Sequence, residues 1–125
     1  GMFDGDSWRV NGTALDGMTK ADMLAYVSYY LEEGMADMEN PYFATLNNDL
    51  THGMPAAYLC CGELDPLLGD SKALHRILET HGVHTKLEVM PGVLHAFMHY
   101  GRMMDEAVHC LKASGEFYVE VREGE

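Results

Sequence analysis

Basic residues are scarce in this chain: 8 Lys and Arg stand against 20 Asp and Glu in 125 residues, a formal net charge of −12. A surface so acidic repels phosphate backbones and anionic lipid headgroups, which argues against nucleic acid and membrane partners. Long apolar runs are missing as well. None approaches the length of a membrane span, and the opening "GMFDGDSWRV" has neither the basic start nor the apolar stretch of a secretory signal, so the cytoplasm is the expected compartment. Gly1 ahead of Met2 reads as a residual tag residue. With 3 cysteines, Cys60 and Cys61 adjacent and Cys110 in a helical pattern, no disulfide framework is available and reduced, buried thiols are expected. Low-complexity tracts and internal repeats are absent, and 47% hydrophobic against 22% charged residues is a globular composition, so residues 1–125 are expected to fold as one domain.

Three regions follow along the chain. Residues 1–18 mix Gly, Asp and Ser with scattered apolar side chains and show no period, which predicts an irregular arm. Thr19 and Asp22 have the spacing of a capping box, and Met23, Tyr26, Val27, Tyr30 and Leu31 then form one helical stripe to about Glu33. From Gly34 to Pro55, Asn, Asp, Gly and Pro punctuate short apolar pieces, so the remainder of 19–55 reads as a long connection. Region 56–125 is different. "AAYLCCG" suits a strand buried on both faces in a parallel sheet, and Asp70 or Ser71 is placed to cap a helix with Leu74, Ile77, Leu78 and His81 on one face and Gly82 at its stop. Alternation over Thr85 to Met90 predicts a second strand, with a right-handed crossover between the two. A final helix from about Arg102, interrupted near Gly115, completes a βαβα unit of the α/β class.

In an open α/β sheet the functional groups gather on loops leaving the C-terminal ends of the strands. Asp65 and His95 occupy those two loops. If the strands are parallel neighbours, a carboxylate at Asp65 can accept a hydrogen bond from one imidazole nitrogen of His95, fixing the tautomer and leaving the other nitrogen as a base.

Three segments, "LDGMTKADMLAYVSYYL", "PYFATLNNDLTHGMPAAYLCCGELDPLLGDS" and "LEVMPGVLHAFMHYGRMMDEA", carry a resemblance. From about Asp6 onward the chain resembles the C-terminal part of the bacterial acetyl esterases, in the hormone-sensitive-lipase-like branch of the α/β-hydrolases. The resemblance implies a partial α/β-hydrolase fold, the last parallel strands and helices of the sheet preceded by a cap-like helix. It also implies a triad in the order Ser, Asp, His, with Asp65 of "GELDPL" orienting His95 of "PGVLHAF" as general base and then acid in the hydrolysis of short-acyl carboxylic esters. Tyr42 and Phe97 are expected near the acyl pocket under that cap. No cofactor and no metal are implied.

The family's oxyanion segment and nucleophile elbow have no counterpart in these residues, and no G-x-S-x-G occurs. The isolated chain is therefore expected to be inactive; the alternative is a non-catalytic, self-associating α/β module or half of a split esterase. "GDSW" copies the first letters of an elbow, but Arg9 stands where its glycine belongs, which argues against Ser7 as a nucleophile. Asp49 and His52 in "DLTH" have the spacing of a GDSL-type hydrolase, but the strand order does not suit that fold. His95 with His99, and His81 with His84, are spaced like ligand pairs yet lack a third ligand. Cys60 and Cys61 fall in a buried strand, where a thiol is inert. An unpaired apolar edge along residues 56–62 predicts a homo-oligomer.

Overall fold

The computed structural model describes residues 3–15, 17–31 and 39–124. Its elements are α1 (Asp6–Asn11), α2 (Lys20–Tyr30), a short 3-10 turn (Thr45–Asn47), β1 (Ala57–Gly62), α3 (Leu68–Thr80), β2 (Thr85–Met90), a 3-10 segment (Phe97–Met103) and α4 (Asp105–Gly124). Among the described residues β1 and β2 form a parallel pair, in register from Ala57 opposite Thr85 to Gly62 opposite Met90. Their C-terminal ends are therefore level, which is what delivers the two following loops side by side.

One apolar cluster joins α4 to the sheet: Val93, Phe97, Ala107 and Cys110 are buried together, with Cys60, Met90, Met98 and Met104 packed against them. On the α3 side Leu78, Cys61 and Trp8 are buried. The side chains of Ala57 to Cys60 are only half-buried, against the expectation of a strand covered on both faces, because β1 has a partner on one edge alone among the described residues. In β2 the order of burial is also unlike the simple alternation: Val89 is exposed, whereas Glu88 is half-buried with its carboxylate on Lys86 and His109.

Residues 1–18 are not wholly irregular. Trp8 is buried on the first turn of α1 and packs edge to face with Phe3 at 4.9 Å between ring centroids. A helix of 6 residues is too short to leave a period in sequence, which is why the arm read as irregular. For α2 the Thr19–Asp22 capping box is present in both directions. Its stripe is mostly not core: Val27 is buried, but Tyr26 and Tyr30 are exposed, Tyr30 stacking on Phe43. The helix ends at Tyr30, ahead of the expected end near Glu33, with Leu31 already extended; the start of the connection at 34–38 lies outside the described residues.

The start of α3 and both the start and the course of α4, which begins at Asp105 and not at about Arg102, differ from the sequence reading. Helix α3 begins at Leu68, ahead of Asp70 and Ser71, because its first N–H groups are satisfied from elsewhere: the Asp65 carboxylate accepts from Leu67 at 2.8 Å and Ser7 Oγ accepts from Gly69 at 3.0 Å. Its stop is at Gly82, whose φ of 74° closes the turn, while His81 is exposed and bonds back to the Ile77 carbonyl instead of joining the core. Helix α4 runs unbroken through Gly115, since Cys110, Ala113 and Phe117 on either side are held in the core.

Candidate active site

Gly62 ends β1 and Met90 ends β2, and the loops beyond them are laced together by backbone. Glu63 N–H donates to Met90 O at 2.8 Å, and Leu64 N–H to Val93 O at 3.0 Å. The Glu63 carboxylate then accepts from Gly92 N–H at 2.8 Å, capping the Pro-Gly turn that leads to His95. Where the loops cross, a Cβ on Gly62 would sit 2.5 Å from the Val93 carbonyl oxygen, so the close approach requires glycine.

This lacing places Asp65 Oδ2 2.9 Å from His95 Nδ1. Asp65 is buried, 5% exposed, and its Oδ1 is held by Leu67 N–H, so both carboxylate oxygens are engaged. A carboxylate only accepts; Nδ1 therefore carries the hydrogen and Nε2 is left as the basic nitrogen. The His95 side chain is 37% exposed and borders a groove of about 630 Å³ walled by Leu15, Val93, Phe97, Tyr100 and Met104. An imidazole oriented from behind by a buried carboxylate and open on its other nitrogen is equipped for general acid and base transfer. Ala96, the next residue, is in the left-handed region at φ 60°, a costly conformation for a residue with a Cβ.

Other candidates fall away from this point. Phe97 lines the groove, but Tyr42 is 92% exposed and does not. Ser7 lines a separate groove of about 470 Å³ with Lys72 and Arg76, and its hydroxyl is committed to the Pro66 carbonyl at 2.7 Å and to Gly69 N–H. Asp49 and His52 do meet, at 3.1 Å, within an exposed turn in which the Thr51 bonds, and then His52, pull the Asp49 carboxyl down to about 2. That arrangement is a local Asx turn at the surface.

His84 pairs with Glu120 at 3.3 Å and His81 bonds its own helix, so these two do not converge. Among the described residues no group of three or more His, Cys, Asp and Glu side chains is gathered as a metal site. Burial raises the thiols of Cys60 and Cys61 to about 11, which keeps both protonated and unreactive near neutrality. The sequence reading missed Glu63, Asn11 and the bracing role of Ser7. Glu63 stands two positions from Asp65 and was open to notice, whereas nothing in the pattern around Asn11 marks it.

Residues 3–99 match the family described as the alpha/beta hydrolase fold. The acetyl esterases of Salmonella dublin and Salmonella enteritidis PT4 are each 39% identical to the chain over 119 residues, covering 95% of it and 36% of their own length. Among solved structures, an esterase of Pyrobaculum calidifontis superposes with a TM-score of 0.76 at 22% identity, over 92% of this chain and 38% of the esterase. An ester hydrolase from the metagenome of Lake Arreo superposes with a TM-score of 0.78 at 20% identity, over 91% of this chain and 37% of that enzyme. The fold is thus a partial α/β-hydrolase fold, and the chain spans 36% of the length of the curated relatives it matches. Among the described residues no helix is long and apolar enough to cross a membrane. Since the family match runs unbroken from α1 through both loops that bear Asp65 and His95, this chain belongs to the α/β-hydrolase family.

Proposed function

We propose that these 125 residues supply the acid–histidine half of a serine esterase acting on short-acyl carboxylic esters. In this reading His95 Nε2 takes the proton from a serine hydroxyl as it attacks the ester carbonyl, then returns it to the leaving alcohol, and repeats the cycle with water on the acyl-serine. Asp65 holds the tautomer and stabilises the imidazolium that forms between these steps. The serine and the oxyanion donors are assigned outside these residues, and the isolated chain is assigned no turnover. The observation that carries the reading is the 2.9 Å contact between His95 Nδ1 and a buried carboxylate whose second oxygen is already held. The short-acyl preference leans on relatives named acetyl esterases, and Phe97 beside His95 gives the apolar wall such an acyl group would meet. No cofactor enters the scheme. Three free thiols and the net charge of −12 support a reducing cytoplasmic setting without nucleic acid or membrane partners.

The test is a chimera in which this chain replaces the matching region of a related acetyl esterase, assayed on p-nitrophenyl acetate beside the isolated chain and free imidazole. The expected result is saturable turnover by the chimera, lowered roughly 10³-fold or more by His95→Ala. The isolated chain should be no faster than imidazole. A chimera that turns over and ignores His95→Ala would sink the proposal.

A second reading, a self-associating module, is favoured by the half-buried side chains of Ala57 to Cys60 along an edge that lacks a partner among the described residues. It predicts a homo-oligomer by light scattering at micromolar concentration; a monodisperse monomer over a tenfold dilution series counts against it.

A further inference from the structure

Helix α1 grips the loop that carries Asp65. From one face of the helix, four residues apart, Ser7 Oγ donates to Pro66 O at 2.7 Å and accepts from Gly69 N–H at 3.0 Å, while Asn11 Nδ2 donates to Glu63 O at 3.0 Å and to Asp65 O at 3.2 Å. These contacts bracket the carboxylate: two fall on residues 63 and 65, two on 66 and 69. Between them Trp8 is buried against the α3 side, so the helix is seated by an apolar anchor as well as by polar ones. Its indole also bonds Asp70, partly offsetting the rise in that carboxyl's pKa that burial imposes.

Pro66 has no N–H to give, and the Glu63 and Pro66 carbonyls each accept a hydrogen bond from a side chain of α1. Without α1 the Glu63 and Pro66 carbonyls would lose these donors, and the backbone that aims the Asp65 side chain would be held only by its lacing to the β2 loop and by its turn into α3, where Leu68 N–H donates to Asp65 O at 3.1 Å. The clasp is also close-fitting. A Cβ on Gly69 would lie 2.9 Å from Ser7 Oγ, so the hydroxyl occupies the space that a side chain there would take.

We propose that Ser7 and Asn11 are positioning residues for the Asp65–His95 pair, acting through the backbone of residues 63–69 and not on substrate. This assigns the "GDSW" serine a part in the site that is not nucleophilic. It rests on the reading of Asp65 and His95 as a catalytic pair, and the experiment separates the two.

The probe is the imidazole itself. In the full chain labelled with ¹⁵N-histidine, long-range ¹H–¹⁵N spectra at neutral pH report which ring nitrogen of His95 carries hydrogen. A charge-assisted bond to Asp65 favours the Nδ1–H form, which free imidazoles in water do not prefer, and Asp65→Ala should abolish that preference. Ser7→Ala combined with Asn11→Ala should lower the ratio of Nδ1–H to Nε2–H at His95 about 10-fold in a chain that is still folded by near-UV circular dichroism. Ser7→Thr, which keeps the hydroxyl, should restore most of it in the presence of Asn11.

If the double variant melts earlier but its His95 tautomer ratio is unchanged, the clasp is merely structural and the proposal is overturned. If Asp65→Ala leaves the ratio unchanged, the pair itself has been misread and the fault lies there. Should the double variant fail to fold, Gly69→Ala takes its place: it presses on Ser7 Oγ while favouring helix α3, and an undisturbed His95 in that variant overturns the proposal equally.

Discussion

Gly62→Ala is the sharpest test of how the two loops are held. A Cβ at this position would lie 2.5 Å from Val93 O, 2.8 Å from Leu94 O and 3.1 Å from the Val93 carbonyl carbon. Carbon and carbonyl oxygen ordinarily approach to about 3.3 Å, so the loop has to lift by several tenths of an ångström. Neither oxygen can swing aside, being backbone, and Val93 O is already the acceptor for Leu64 N–H at 3.0 Å. Overpacking of this kind costs about 1–3 kcal/mol, and one weakened loop hydrogen bond adds about 1 kcal/mol. The lower chain entropy of alanine in the unfolded state returns about 0.5–1 kcal/mol. A net loss of about 2 kcal/mol corresponds to a fall in Tm of roughly 6–10 °C for a domain of this size. Thermal melts by circular dichroism measure it, and the His95 spectra described above report whether the lifted loop has drawn the imidazole off Asp65. A variant melting within about 2 °C of the parent, with His95 still in its Nδ1–H form, would refute the claim that the crossing at Gly62 sets the site.

Gly115 gives the opposite sign. It is exposed inside α4 with no atom within 4 Å of an added Cβ, so Gly115→Ala should stabilise by about 0.8–1 kcal/mol, read as a higher urea midpoint at unchanged slope. The thiols of Cys60 and Cys61, raised by burial from 9.0 to about 11, should react with iodoacetamide at pH 8 about 100-fold more slowly than a free cysteine, and react normally in urea. The same shift fixes a pH dependence. The neutral thiol is favoured in the fold, so this contribution to stability is complete below the ordinary value of 9.0 and is lost as pH rises through about 11; urea midpoints measured from pH 8 to pH 11 should decline across that interval.

Much of this arrangement was legible in sequence where chemistry and period coincide. "AAYLCCG" and "TKLEVM" read as strands and the helix between them as a crossover partner because apolar spacing survives whatever covers the sheet. Asp65 and His95 were legible because each follows a strand end. What was not legible depends on contacts between distant segments. The start of α3 at Leu68 follows from acceptors at Asp65 and Ser7, one of them 62 positions away from its donor, and no local capping rule can supply those. Gly115 reads as a break by propensity, yet buried Cys110, Ala113 and Phe117 carry the helix through it. The stripe of α2 satisfies helical spacing and still exposes Tyr26 and Tyr30, since periodicity states which face is apolar and not whether anything lies against it.

The His95 loop shows how a short segment can hold an unfavourable conformation. Ala96 is left-handed at φ 60°, which costs about 1–2 kcal/mol for a residue with a Cβ. That conformation starts the 3-10 segment: Ala96 O accepts from His99 N–H at 2.9 Å, and Phe97 drops into the core shared with α4. On the other side of His95, the Glu63 carboxylate fixes Gly92 N–H, and Leu64 N–H fixes the Val93 carbonyl. The imidazole is thus suspended between a buried aromatic anchor after it and two bonds from the Asp65 loop before it. Relaxing Ala96 would require pulling Phe97 from its pocket or breaking the lacing, each of which costs more than the strain it relieves. The direction of the ring toward Asp65 is therefore a property of both loops together, and neither loop alone would maintain it.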